Sequence, residues 1–192
     1  MKKTVSILSV FFVLTAFTAA VTTWKNDKAH SQLAFTVTHL GISGVSGTFN
    51  DFDVSVTSSK PDFSDAVFEL KANVNSISTR VDARDTHLKS ADFFDAAKYP
   101  EITFKSTSLK KNGKDNYKLS GNLTMHGITK PVTMDLKYRG TTQNPMSKAN
   151  TAGFQLEGVV KRSDFNIGAG FPEAMISNEV RIKADGEFTQ AK

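Results

Sequence analysis

The sequence predicts an all-β protein of eight antiparallel strands, with one short helix between the third and the fourth. Three observations lead there. Apolar residues recur at every second position in eight stretches, the period of a half-buried strand. The joints between them are short and rich in turn-forming residues, which favours antiparallel neighbours. One stretch, opening at Arg84, spaces its side chains for a helix instead. Each strand is polar on one side only, so one sheet face is wet and the other buried. An up-and-down barrel meets that condition without edges, and a sandwich meets it with edges to protect. Periodicity alone leaves both open.

Residues 1–20 read as a signal peptide. Lys2 and Lys3 form a basic start, Val5 to Phe17 is apolar, and Thr18-Ala19-Ala20 supplies small residues before a cut after Ala20. The apolar run is shorter than the roughly twenty residues of a membrane span. The chain has no cysteine to carry a lipid. The reading is an exported protein without a stable membrane anchor, periplasmic in a Gram-negative cell. Residues 21–192 then form one domain, with neither disulfide staples nor a thiol nucleophile.

Leu33, Phe35 and Val37 give the first strand its apolar face. Phe52, Val54 and Val56 give the second, and Phe49, of opposite parity, implies a bulge near Asn50 or Asp51. Phe68, Leu70, Ala72 and Val74 make the third. The helical stretch follows. Thr79 or Asp82 is placed to cap it, with Asp82 or Asp85 three residues on. Arg84, His87 and Leu88 share one face. Phe93 and Phe94 end the stretch, and Tyr99-Pro100 forbids more helix. Ile102 and Phe104 open the fourth strand. Tyr117 to Met125, Val132 to Tyr138, Phe154 to Val160 and Val180 to Phe188 supply the other four.

Composition narrows the function. Loss of Lys2 and Lys3 with the leader lowers the net charge from +5 to +3, and the remaining lysines are scattered, so nothing points to nucleic acid. There is no Gly-x-Ser-x-Gly elbow, no His-Glu-x-x-His, no phosphate loop and no dinucleotide fingerprint. Asp85 and His87 offer two metal ligands without a third. No catalytic residue, metal or cofactor is expected. His30 and His126 fall at turns and read as solvent-facing.

The stretch from Arg84 to Thr107, RDTHLKSADFFDAAKYPEITFKST, resembles the YceI-like family of secreted bacterial lipid-binding proteins. So do Trp24, Ala29-His30-Ser31, Phe35 to Leu40 and Gly47 to Phe52 before it. Gly121 to Val132, Arg162-Ser163-Asp164-Phe165 and Glu179 to Phe188 continue the likeness. Together they cover nearly the whole chain after the leader, in order. The resemblance implies an eight-stranded lipocalin-like barrel holding a polyisoprenoid or similar amphiphile: an isoprenoid quinone, a polyprenyl lipid or a fatty-chain lipid. A homodimer is compatible with the family, although no apolar surface stripe announces one.

On pattern alone, phenylalanines on the strand faces describe a close-packed core. The resemblance turns them into a lumen lining: Phe35, Val37, Phe52, Phe68, Leu70, Phe104, Met134, Phe154 and Leu156 from strands, with Phe93 and Phe94 from the end of the helical stretch. His39, Arg84, His87 and Arg162 are the candidates to meet a head group. Each has an ordinary alternative. Arg84 can pair with Asp82 or Asp85, His87 can bond locally, His39 can be a satisfied interior histidine, and Arg162 can orient a loop through an ion pair. Beside the carrier stand a stress-related structural module with a filled barrel, and a hydrolase or isomerase of isoprenoid lipids. A serine or carboxylate within hydrogen-bond reach of His39 or His87 would favour that enzyme.

Overall fold

The computed structural model describes residues 20–191, so the signal-peptide reading lies outside the described residues except at Ala20. Among the described residues ten strands form: β1 (Thr22–His39), β2 (Ser43–Phe49), β3 (Phe52–Ser58), β4 (Val67–Asn73), β5 (Ile77–Ser78), β6 (Glu101–Lys111), β7 (Asn116–Met125), β8 (Ile128–Gln143), β9 (Asn150–Lys161) and β10 (Glu179–Gln190). The helix α1 (Asp82–Lys89) lies between β5 and β6. The strands hydrogen-bond in the order β10-β9-β8-β7-β6-β4-β3-β1-β2-β5, and β10 pairs back onto β1. The sheet is therefore closed, which decides for the barrel over the sandwich.

The ten segments make eight staves. Residues 34–39 of β1 pair with β2, and residues 22–25 pair with β3 on the same edge. Asn50 and Asp51 interrupt that second stave where the parity of Phe49 places a bulge. β4 and β5 form the third stave in the same way, against β3 and β2. Where β1 passes from one partner to the other, Asn26 continues the ladder with its side chain. Its Oδ1 accepts the Val54 N–H at 2.7 Å and its Nδ2 donates to the Phe52 carbonyl at 3.4 Å.

Alternation sets what faces inward. In β7, Tyr117, Leu119, Leu123 and Met125 are buried while Lys118 and Asn122 are exposed. Gly121 shares the inward parity, and its missing side chain gives Phe104 of β6 a place to lie. A Cβ there would sit 2.5 Å from both the Phe104 ring and the Lys105 carbonyl oxygen. The β7–β8 hairpin turns through His126 (φ 49°) and Gly127 (φ 73°), the two left-handed residues of a tight hairpin turn. His126 does not face solvent as expected: its Nδ1 lies 3.1 Å from the Phe165 carbonyl and its ring packs edge-on against Tyr99.

The two ends of the barrel differ. The upper end carries α1, the β1–β2 and β7–β8 turns and the segment 162–178 between β9 and β10. The lower end is closed by Phe63, a loop residue at φ 56° that is only 3% exposed. Its ring lies 5.1 Å from Phe154 and 5.2 Å from both Trp24 and Tyr138. Asp65 pins this loop by accepting hydrogen bonds from Ser58 Oγ, the Ser59 N–H and hydroxyl, and the Lys60 N–H. Burial alone would raise the Asp65 carboxyl, but the hydrogen bonds from Ser58 and Ser59 hold it well below its ordinary value of 3.8.

The helix departs from expectation at its start. Neither Thr79 nor Asp82 caps it; Val81 occupies the cap position with no side-chain bond. Arg80 at φ 64° bends the chain before the helix, so Thr79 arrives upstream of the first turn. The bond runs the other way: Thr79 donates its N–H at 2.8 Å and its hydroxyl at 2.5 Å to Asp85 Oδ1. Pro100 directly precedes β6, as its geometry requires.

Two outcomes test this packing. Gly121→Ala should cost about 1–3 kcal/mol by forcing a Cβ against main chain, whereas Gly170→Ala, with open space at its Cβ, should be near neutral in urea unfolding. The unfolded chain binds a proton on Asp65 at higher pH than the folded chain, so that stabilisation is complete above about pH 4 and lost as pH falls below it. The thermal midpoint of the native protein should therefore drop more steeply on acidification below that pH than the midpoint of Asp65→Asn.

Candidate functional site

Two apolar cavities lie end to end inside the barrel. The lower, about 140 Å³, is lined by inward residues of the staves, among them Leu33, Phe52, Phe68, Leu70, Phe104, Leu119, Met134, Phe154, Leu156 and Phe188. The upper, about 340 Å³, forms the mouth beneath α1 and the 162–178 segment. Phe35, Phe49, Met125 and Ile182 line both, so they form a waist between the two. Of the expected lining, Phe52, Phe68, Leu70, Phe104, Met134, Phe154 and Leu156 face the lower cavity, Val37, Phe93 and Phe94 face the mouth, and Phe35 faces both. A polar depression of about 870 Å³ on the outer wall contains Lys183 and Glu157, which are 3.8 Å apart.

The mouth is shaped by aromatic packing that alternation does not reveal. Phe171 stacks on Phe93 with centroids 4.8 Å apart, and His87 meets both rings edge-on at 5.6 and 5.0 Å. Phe94 packs edge-on against Phe49 at 5.9 Å. Phe171 escapes a sequence reading because residues 166–178 form no strand or helix; a phenylalanine before Pro172 in a turn-rich segment was the only cue.

His39, Arg84, His87 and Arg162 all line this mouth, yet their circumstances differ. Arg162 is 7% exposed and donates from Nε to the Ser177 carbonyl, from Nη1 to Ile167 and Gly168, and from Nη2 to Phe171 and Ile176. A guanidinium has five N–H groups, and all five are used. Arg162 therefore clasps the 162–178 segment through carbonyls; it makes no ion pair among the described residues and keeps no donor for a head group. Arg84 pairs with neither Asp82 nor Asp85. Its Nε donates to Thr79 Oγ1 at 2.7 Å and its Nη2 to the Thr79 carbonyl at 3.0 Å, while Nη1 makes no hydrogen bond among the described residues. His39 lies exposed at the rim and not in the interior.

His87 Nε2 lies 3.2 Å from Asp92 Oδ2, the carboxylate neighbour an enzyme would use. Both side chains are largely exposed, and no Ser or Thr hydroxyl is bonded to the ring among the described residues. With Asp85 engaged by Thr79 and His87 by Asp92, the two residues form no metal pair. A different group is assembled on the outer wall. Asp27, His30 and Glu187 bring ligand atoms within 4.8 Å of one another at the irregularity between Asn26 and Ser31. His30 is thus in a strand bulge and not a turn. The Asp27 hydrogen bond raises its imidazole and the same bond lowers Asp27.

Residues 24–188 match the family described as the YceI-like domain. A UPF0312 protein of Pectobacterium carotovorum subsp. carotovorum is 39% identical over 189 residues, spanning 97% of each chain. The crystal structure of Burkholderia cenocepacia BcnA superposes with a TM-score of 0.74 at 25% identity, covering 84% of this chain and 98% of that one. A polyisoprenoid binding domain from Saccharophagus degradans gives 0.66 at 16% identity, covering 90% and 100%.

The clasp at Arg162 is directly testable. Arg162→Met leaves buried carbonyls without donors and should cost at least about 3 kcal/mol in urea unfolding. Arg162→Lys should recover less than half of that, since an ammonium has three donors on one atom and cannot span five acceptors. Native stability in either variant would mean that the segment holds itself.

Proposed function

The chain belongs to the YceI-like family, and on that premise we propose that it is a periplasmic carrier that sequesters the tail of a polyisoprenoid or similar long-chain amphiphile inside the barrel. The observation that carries this reading is the pair of apolar cavities stacked inside the barrel, with Phe35, Phe49, Met125 and Ile182 common to both linings. A tail transferred into it leaves water, gaining about 0.8 kcal/mol for each buried methylene. The polyisoprenoid specified by the name of the Saccharophagus degradans domain supports the tail chemistry. The basic start, apolar run and small residues of 1–20 support export.

The polar rim suits the other end of such a molecule. Arg84 offers Nη1 beside the mouth, with His39 and His87 on the same rim. A phosphate, carboxyl or quinone oxygen seated there keeps its hydration partly replaced by protein donors while the tail is dry. Uptake is then an equilibrium between lipid phase and lumen and involves no covalent step. The filled-barrel reading has no use for a mouth cavity of about 340 Å³. The enzymatic reading draws on His87 and Asp92, which lack the hydroxyl nucleophile that a hydrolase of this kind uses.

Native mass spectrometry of protein purified from its producing bacterium, followed by solvent extraction, tests the proposal. A stoichiometric isoprenoid or fatty-chain adduct is the expected result. A clean apo mass, together with no uptake of added quinone or polyprenyl lipid, would sink it. Phe35→Asp, which sets a carboxylate at the waist, should weaken uptake at least tenfold in a protein whose circular dichroism is unchanged. Undiminished uptake would show that the tail does not pass Phe35.

A further inference from the structure

We infer that the aromatic floor of the lumen limits the hydrocarbon chain that the protein accepts, with Phe154 as the residue on which the chain end stops. The inference rests on the carrier reading and adds to it a selection by length.

A tube open at both ends would be indifferent to chain length, since any excess would emerge at the far side. This one is blind. Phe68, Phe154 and Phe188 form the lower wall of the cavity. Phe154 packs against both of the others, at 5.3 and 5.4 Å, and against Phe63 and Tyr138 at 5.1 and 5.4 Å. Phe154 is itself buried, so its ring is hemmed in by these four. Phe63 and Trp24 back the cluster, and the loop bearing Phe63 is fixed by Asp65. The floor is therefore built of rings packed on rings, where the waist above it is bordered by the unbranched side chain of Met125.

The space between waist and floor, about 140 Å³, sets the allowance. An apolar cavity of about 150 Å³ accommodates a benzene-sized group, so roughly one isoprene unit fits below the waist. Beyond that point a longer chain gains nothing inside the barrel. Each methylene added before contact should tighten binding by about fourfold, and each one added after contact should not.

The test is a ladder of prenyl alcohols (geraniol, farnesol, geranylgeraniol and solanesol) titrated into the mature protein by calorimetry. The native protein should show affinity rising along the ladder and then levelling or falling. Phe154→Ala deepens the lumen and should move that break to a chain about one isoprene unit longer. Ala184→Ile fills the same cavity at mid-depth on β10 and should move it to a shorter chain, which keeps the inference testable if Phe154→Ala folds poorly. Affinity that rises through the longest alcohol, with the same profile in both variants, would overturn the length limit and leave the carrier reading intact. No binding of any alcohol, nor of quinones or polyprenyl phosphates, would overturn the carrier reading itself.

Discussion

β1 is hydrogen-bonded along both edges, to β10 on one side and to β2 and β3 on the other, and the barrel exists because of that double engagement. Without the β1–β10 ladder, the first and last strands of the described chain would each present a row of unpaired amides and carbonyls. Closure also fixes parity. Once β1 is held on both sides, slipping any stave by one residue would turn its apolar face into solvent. The register shifts between Asn26 and Ser31, and the Asn26 side chain splices the ladder where the strand passes from β3 to β2.

Closure produces an interior, but different physics decides what that interior becomes at each end. Below, rings pack on rings and a carboxylate pins the loop that carries the last of them. Above, the 162–178 segment joins the sheet only through a bridge between Ile176 and His39 at the end of β1. Its carbonyls converge instead on the Arg162 guanidinium, a polar clasp whose buried charge is met by oxygen dipoles. The Asp85–Thr79–Arg84 chain does similar work for α1, tying its first turn to the strand before it. The mouth thus combines a polar clasp with an aromatic stack, and the floor combines a cluster of rings with a loop pinned by Asp65.

Between the ends, the wall is shaped by what is missing. Gly121 receives Phe104, Gly158 lies against Met134, and Gly47 lies against Phe35. At each of these glycines an added Cβ would collide with that bulky neighbour. A close-packed core of the same composition would place side chains in those notches, and the cavity would vanish.

The order of residues alone reveals the parity of the staves, the bulge near Asn50 and Asp51, the helix after the third stave and the break before β6, because each is a local matter of period, turn chemistry or proline geometry. It also placed the inward residues, since Phe35, Phe68, Phe104 and Phe154 follow directly from alternation. Tertiary structure alone decided which of those residues leave space and which close it, because a cavity is a difference between packed volumes that no single strand contains. It decided equally that Arg162 is a clasp while Arg84 keeps a free edge. Both are arginines beside an expected rim, but a guanidinium's role depends on which carbonyls come within its reach. Those carbonyls belong to residues as far along the chain as Ser177, brought back only by the fold. Phe63 and Phe171 escaped sequence reading for the same reason: both sit in loops, where no period marks a side chain as buried.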